Sequence, residues 1–125
     1  MKPTMKTILR TKKSKGELMT KVAVYGTLKQ GHPNQRVMER AKGKYLGRCR
    51  LDNWDMVNLG PFPAITPGNR SVEVEVYDVE NIEPLDILEG YPHFYDRTEV
   101  KTEFGSAWVY FQDNITGEVI EDGVW

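Results

Sequence analysis

Cysteine and histidine are nearly missing from this sequence: one Cys (Cys49) and two His (His32, His93) in 125 residues. A single cysteine closes no intramolecular disulfide, which suits a reducing compartment. Two isolated histidines in Gly/Pro-flanked turns, with no Cys or carboxylate at ligand spacing, make a poor metal site. No metal or cofactor is expected. Cys49 sits between Arg48 and Arg50, which would lower the pKa of an exposed thiol. Neither histidine is placed to form a dyad with it, so Cys49 reads as a structural strand residue. No apolar run reaches the ~18 residues of a membrane-spanning helix, and no N-terminal stretch has a signal-peptide core. The expected location is cytoplasmic, without a membrane partner.

Net charge is also small, at −1 from 17 basic and 18 acidic residues. The balance conceals an asymmetry. Residues 1–20 carry six basic side chains against Glu17 alone, which leaves 11 basic and 17 acidic groups for the rest. An acidic body argues against a nucleic-acid-binding domain. The basic head reads as a flexible, solvated extension with a short strand at residues 7–10.

What remains is the composition of one compact domain over residues 21–125, with 39% hydrophobic and 28% charged residues in the chain. Strands are predicted over residues 21–25, 45–51, 55–59 and 71–77. The last alternates apolar and polar residues with period two. A hairpin is predicted from residues 97–104 and 107–112. Short helices are expected over residues 33–42 and 84–89. Residues 60–63 and 66–69 are rich in Gly and Pro and read as loops. Strands outnumber helices, so the expected fold is α+β: a small mixed β-barrel or curved sheet with peripheral short helices. The acidic end, residues 120–125, reads either as a packing strap or lid or as a frayed tail. A monomer or weak homodimer is expected.

Two segments carry chemistry. In Tyr25-Gly26-Thr27-Leu28-Lys29-Gln30-Gly31 a strand ends at a glycine, which has access to dihedrals closed to other residues. Such a turn can aim consecutive amides into one concavity that binds a carboxylate or phosphate; it can equally be an ordinary strand-ending turn. In Pro84-Leu85-Asp86-Ile87-Leu88-Glu89-Gly90-Tyr91-Pro92, proline suits the first helical turn and glycine its end. Leu85 and Leu88 would face the core. Glu89, in the last turn, would feel the negative end of the helix dipole, which raises a carboxyl pKa. The position suits a general base or a solvated surface carboxylate. Tyr95 and Tyr110 read as pocket-lining hydroxyls or core strand aromatics. Arg97 is expected to hold Asp86 or Asp96.

Taken together, Tyr25-Gly26-Thr27-Leu28 followed by Lys29-x-Gly31-x-Pro33-Asn34, and Leu85-Asp86-x-x-Glu89-Gly90 followed by Tyr95-x-Arg97, resemble the two signatures of the gamma-glutamylcyclotransferase-like superfamily. The first is closest to the gamma-glutamylamine cyclotransferase branch. Phe62-Pro63-Ala64-Ile65 is similar to its mid-chain segment. The resemblance runs from about residue 21 onward. It implies a barrel with the site in a side cavity. It implies that the amides of Gly26, Thr27 and Leu28, beside Tyr25, hold the α-carboxylate of a glutamyl group. Glu89 would take a proton from the α-ammonium and later pass it to the departing amine, releasing 5-oxoproline. Tyr95 and Tyr110 complete the expected substrate-binding set. The small-molecule partner would be a gamma-glutamyl amine or a related gamma-glutamyl compound. The alternative is a non-catalytic small-carboxylate-binding or sensor domain of the same fold.

Overall fold

The computed structural model describes residues 19–125. The basic extension, apart from its last two residues, and the short strand at residues 7–10 lie outside the described residues. Six strands and two short helices follow in order: β1 (Thr20–Val24), α1 (Gln35–Arg40), β2 (Lys44–Asn58), β3 (Pro63–Val79), α2 (Glu83–Glu89), β4 (Asp96–Thr102), β5 (Gly105–Phe111) and β6 (Glu118–Val119). The strands form one mixed sheet in the order β4-β5-β1-β3-β2-β6. Only β1 and β5 pair in parallel; the other neighbours are antiparallel. The sheet curls enough for β2 to meet β4, which is not its neighbour in the ladder. This is the expected α+β curved sheet with peripheral helices, in the form of a half-barrel.

The period-two pattern decides which side chains enter which core. On β1, Val22 and Val24 join the layer under the helices, whereas Ala23 and then Tyr25 join the interior of the curl. On β3, Tyr77 and Val79 face the helices and Val72, Val74 and Val76 face the interior. Both faces are therefore buried around β1, β3 and β5. Each fully buried aliphatic side chain contributes about 1.5–3 kcal/mol to the burial term.

Three sequence expectations are corrected. Residues 45–51 and 55–59 are not separate strands around a turn but one long strand. Its register breaks between Asp52 and Trp54, and Asn53 takes up the irregularity at φ 70°. Residues 66–69 are not a free loop either. Thr66 and Pro67 pair with Asp55 and Trp54, so β3 runs on past them. Proline is tolerated there because the bulge already interrupts the ladder. Helix α1 is also shorter than the predicted span over residues 33–42, because successive turns occupy the chain up to Asn34.

The C-terminal segment is a strap. Ile120 N donates to Met56 O at 2.8 Å, and Glu73 N donates to Gly123 O at 2.9 Å. Lys29, itself buried, donates from Nζ to the Trp125 carbonyl at 3.1 Å. Trp125 packs against the interior core. Among the described residues no helix is long and apolar enough to cross a membrane.

Candidate active site

β1 delivers Tyr25 to the mouth of the sheet, and the chain turns sharply through Gly26, Thr27 and Leu28. The turn closes on itself through its carbonyls. Gly26 O accepts from Lys29 N at 3.1 Å, and Thr27 O accepts from Asn34 N at 2.8 Å. Asn34 adds a second tie, donating from Nδ2 to Thr27 Oγ1 at 2.8 Å. With the carbonyls used inside the loop, none of the amides of Gly26, Thr27 and Leu28 reaches an acceptor among the described residues. The far side of the loop is anchored from β3. Buried Glu75 accepts from Gln30 N at 2.9 Å and from the Tyr77 hydroxyl at 3.0 Å, both on Oε1.

Gly26 is needed for a different reason than its dihedral freedom. Its φ is not positive. A side chain there would instead press a Cβ to within 3.0 Å of both Cγ and Cδ of Pro63. The glycine permits the loop to lie against Pro63.

α2 supplies the opposite wall. Asn81 Oδ1 accepts from Glu83 N at 3.0 Å at its start, and Gly90 ends it in the left-handed conformation at φ 65°. Leu85 is buried beneath the helix as expected, but Leu88 is not a core residue; it stands at the cavity edge, 37% exposed. Asp86 and Glu89 leave the helix from successive turns. Asp86 Oδ1 accepts from the Tyr110 hydroxyl at 2.7 Å and pairs with Arg97 Nε at 3.3 Å, an ion pair whose geometry falls short of a hydrogen bond. The Arg97 guanidinium lies 4.5 Å from the ring centres of both Tyr91 and Trp108. Arg97 thus holds Asp86, one of the two acids expected.

Glu89 and the Gly26–Leu28 turn line one cavity of about 210 Å³, together with Tyr25, Tyr95 and Tyr110. All seven residues nominated from the sequence meet there. The Glu89 carboxylate has no hydrogen-bond donor among the described residues, and burial pushes its pKa up to about 7. Desolvation, rather than the helix dipole invoked from the sequence, is the cause.

The three tyrosines are poised in a particular sense. Tyr25 donates to Tyr110 O at 2.8 Å and also accepts from Ile65 N at 3.3 Å. Tyr95 donates to Pro63 O at 2.6 Å, and Tyr110 donates to Asp86. A carbonyl cannot donate, so the hydroxyl protons of Tyr25 and Tyr95 are committed to the protein. Asp86 Oδ1, paired with Arg97, accepts the third. Burial raises all three phenol pKa values, with the Glu89 charge adding to the effect, so they stay protonated. The tyrosine oxygens and Glu89 form a wall of acceptors; the turn amides form a wall of donors.

Sequence reasoning gave no site role to Asn34, Phe62, Pro63 or Phe94 and put Leu88 in the core, yet all five line the cavity. Asn34 and Pro63 lie in segments that carry the resemblance, which was the available signal. Leu88 and Phe94 had none, because an apolar residue at a cavity edge looks like a core residue in sequence. Among the described residues no cluster of His, Cys, Asp and Glu has the geometry to hold a metal.

Known proteins agree with this architecture. The family model described as gamma-glutamyl cyclotransferase, AIG2-like, matches residues 22–125. The gamma-glutamylcyclotransferase family protein YtfP of Escherichia coli K12 is 36% identical over 109 residues, covering 84% of this chain and 95% of its own. The solution structure of E. coli ytfP superposes with a TM-score of 0.67 at 37% identity, over 85% of this chain and 96% of that one. An AIG2-like protein from Mus musculus does so with a TM-score of 0.65 at 31% identity, over 75% of this chain and 77% of that one. By a family match over residues 22–125, which takes in both helices, the cavity and all of the sheet but the first two residues of β1, the chain belongs to the AIG2-like gamma-glutamyl cyclotransferase family.

Proposed function

We propose that this protein is a cyclotransferase that acts on gamma-glutamyl amines and releases 5-oxoproline. Family membership supports cyclotransferase activity as such. The observation that carries the finer reading is the pairing, in one cavity, of unengaged amides at Gly26, Thr27 and Leu28 with an unpartnered carboxylate at Glu89.

The substrate head is a zwitterion, and the two walls complement it. Its α-carboxylate takes the turn amides. Its α-ammonium faces the acceptor wall of Glu89, Tyr95 and Tyr110. An α-amine has a reference pKa of about 8, so a carboxylate near 7 removes its proton with little penalty. The free amine attacks the gamma-carbonyl of the same molecule and closes a five-membered lactam. That attack is intramolecular, so fixing the two ends supplies much of the acceleration.

Two protons leave the substrate nitrogen over the cycle, one before attack and one as the tetrahedral adduct collapses. Glu89 carries them to the departing nitrogen as the old amide C–N bond breaks. The amine leaves as its ammonium, and the lactam keeps one N–H. The tyrosine hydroxyls do not donate to the developing oxyanion, because their protons are already given to protein acceptors.

The test is incubation with a panel of gamma-glutamyl compounds, read as 5-oxoproline by mass spectrometry, with Glu89→Gln as control. Release by the parent and not by the variant is expected. No 5-oxoproline from any gamma-glutamyl compound, with binding intact, would leave a carboxylate-binding domain instead.

A further inference from the structure

Closing the lactam puts negative charge on the gamma-carbonyl oxygen, and few side chains in the cavity are free to meet it. Five uncharged side chains that line the cavity carry an N–H or O–H: Tyr25, Thr27, Asn34, Tyr95 and Tyr110. The tyrosine protons go to Tyr110 O, Pro63 O and Asp86 Oδ1. The turn amides are taken up by the α-carboxylate, and Glu89 has to carry protons to the departing nitrogen. Among the described residues, the side chains left with a donor are Thr27 and Asn34.

Asn34 does not behave as its position would dictate. It is the N-cap of α1, where an asparagine side chain ordinarily accepts from the second or third amide of the helix. Here it makes no such bond. The side chain turns back to the cavity, and Nδ2 donates to Thr27 Oγ1 at 2.8 Å. The main chain pins the residue on both sides. Asn34 N donates to Thr27 O at 2.8 Å, and Asn34 O accepts from Val37 N at 2.9 Å. A side-chain amide carries two Nδ2 hydrogens in one plane. With one held by Thr27, the direction of the other is fixed, and no acceptor among the described residues takes it. The Thr27 hydroxyl proton is also unspent, but it rotates about its C–O bond and is not aimed. A donor already fixed in place stabilises developing charge best, because it needs no reorganisation at the moment of reaction.

We propose that Asn34 is a catalytic residue, giving its second Nδ2 hydrogen bond to the gamma-carbonyl oxygen as that oxygen becomes an oxyanion, with Thr27 Oγ1 as the group that orients it. This rests on the gamma-glutamyl reading above. The freed amine adds to the gamma-carbon, and the C=O π pair moves onto oxygen. The Asn34 hydrogen bonds to that oxygen and stays on nitrogen. On collapse the pair re-forms the C=O bond, and the old C–N bond pair leaves with the nitrogen that Glu89 protonates.

Matched kinetics and calorimetry test it, with gamma-glutamyl-methylamine and gamma-glutamyl-alanine as probes. Turnover is read as 5-oxoproline in single-turnover and steady-state runs, and affinity is measured in the Glu89→Gln background. Asn34→Ala should lower kcat about 10²–10³-fold, the usual loss for one oxyanion donor, and leave affinity little changed, the mark of an interaction made only in the transition state. Thr27→Val keeps the shape and removes the oxygen that orients the amide. It should lose part of the same factor, again in kcat, and Thr27→Ser should recover most of it. Thermal melts confirm that each variant is folded. Turnover close to the parent's in both Asn34→Ala and Thr27→Val overturns the assignment and leaves the cyclotransferase reading standing. A loss confined to affinity does the same, because it puts Asn34 on the bound carboxylate. Probes that bind the parent and yield no 5-oxoproline sink both.

Discussion

Tyr110 gives its hydroxyl proton to Asp86 Oδ1 across 2.7 Å, and Asp86 stands one helical turn before Glu89. The bond joins β5 to α2, so the floor of the cavity and its acidic wall move together. It also turns the Tyr110 lone pairs, not its proton, toward the space where an ammonium would sit.

Tyr110→Phe therefore removes an acceptor from the cavity and a donor from Asp86. We expect KM for a gamma-glutamyl amine to rise about tenfold, the equivalent of one hydrogen bond of about 1.5 kcal/mol, with a smaller change in kcat. Steady-state kinetics decide the split. If kcat alone fell, the hydroxyl would be acting on the transition state and the acceptor assignment would fail.

Glu89→Gln keeps the size of the side chain and loses the base. Turnover should fall by about 10²–10⁴-fold, with little change in affinity for 5-oxoproline. Single-turnover rates and calorimetry on the same preparation make the comparison. Turnover close to the parent's would take Glu89 out of the chemistry.

The raised pKa of Glu89 links activity and stability to pH in opposite senses. The base form appears as pH rises through about 7, so kcat/KM should climb across that value. Stability moves the other way. Because the folded state holds this proton more tightly than the unfolded chain, stability falls as pH rises from 4.5 to about 7 and stays lower above it. At about 1.4 kcal/mol per pH unit, the penalty at pH 8 is at most about 3.5 kcal/mol. Glu89→Gln should relieve it, gaining stability over the parent at pH 8 and not at pH 4. Urea unfolding at both values measures this, and an equal difference at both would rule out a desolvated carboxyl.

Gly26→Ala sets two effects against each other. Restricting the unfolded chain would stabilise by about 0.4–1 kcal/mol at a permissive φ. The added methyl, 3.0 Å from the Pro63 ring, costs about 1–3 kcal/mol as overpacking and wins. Pro63 O also holds the Tyr95 hydroxyl, so the displacement reaches the acceptor wall. Thermal melts should show net destabilisation, and 5-oxoproline affinity should drop. Unchanged melting and affinity would mean that the loop has room to spare.

Glu75→Ala strands Gln30 N and the Tyr77 hydroxyl, whose acceptor it is. We expect a loss of about 1–3 kcal/mol for buried groups left unpaired, together with weaker 5-oxoproline binding through a looser turn. Glu75→Gln keeps an oxygen at the same place and should restore most of both. Failure of that rescue would assign the role to the charge instead of the hydrogen bonds.

Local chemistry was legible in the residues themselves. Alternation at residues 71–77 set one strand and both of its faces. Pro84 and Gly90 bracketed a helix to within one residue. The order of the two motifs named the family and the residues that meet in the cavity. Tertiary structure alone decided the rest. Residues 66–69 look like a loop because proline and glycine punctuate locally, yet pairing with β2 overrides that preference. Glu89 owes its pKa to what surrounds it, and no sequence pattern reports desolvation. Gly26 is required by the ring of Pro63, a neighbour 37 positions away. Whether a tyrosine oxygen offers a proton or a lone pair depends on which carbonyl or carboxylate the fold brings to it. Propensity acts over a few residues, whereas burial, hydrogen-bond direction and close approach are set by groups that only folding brings together.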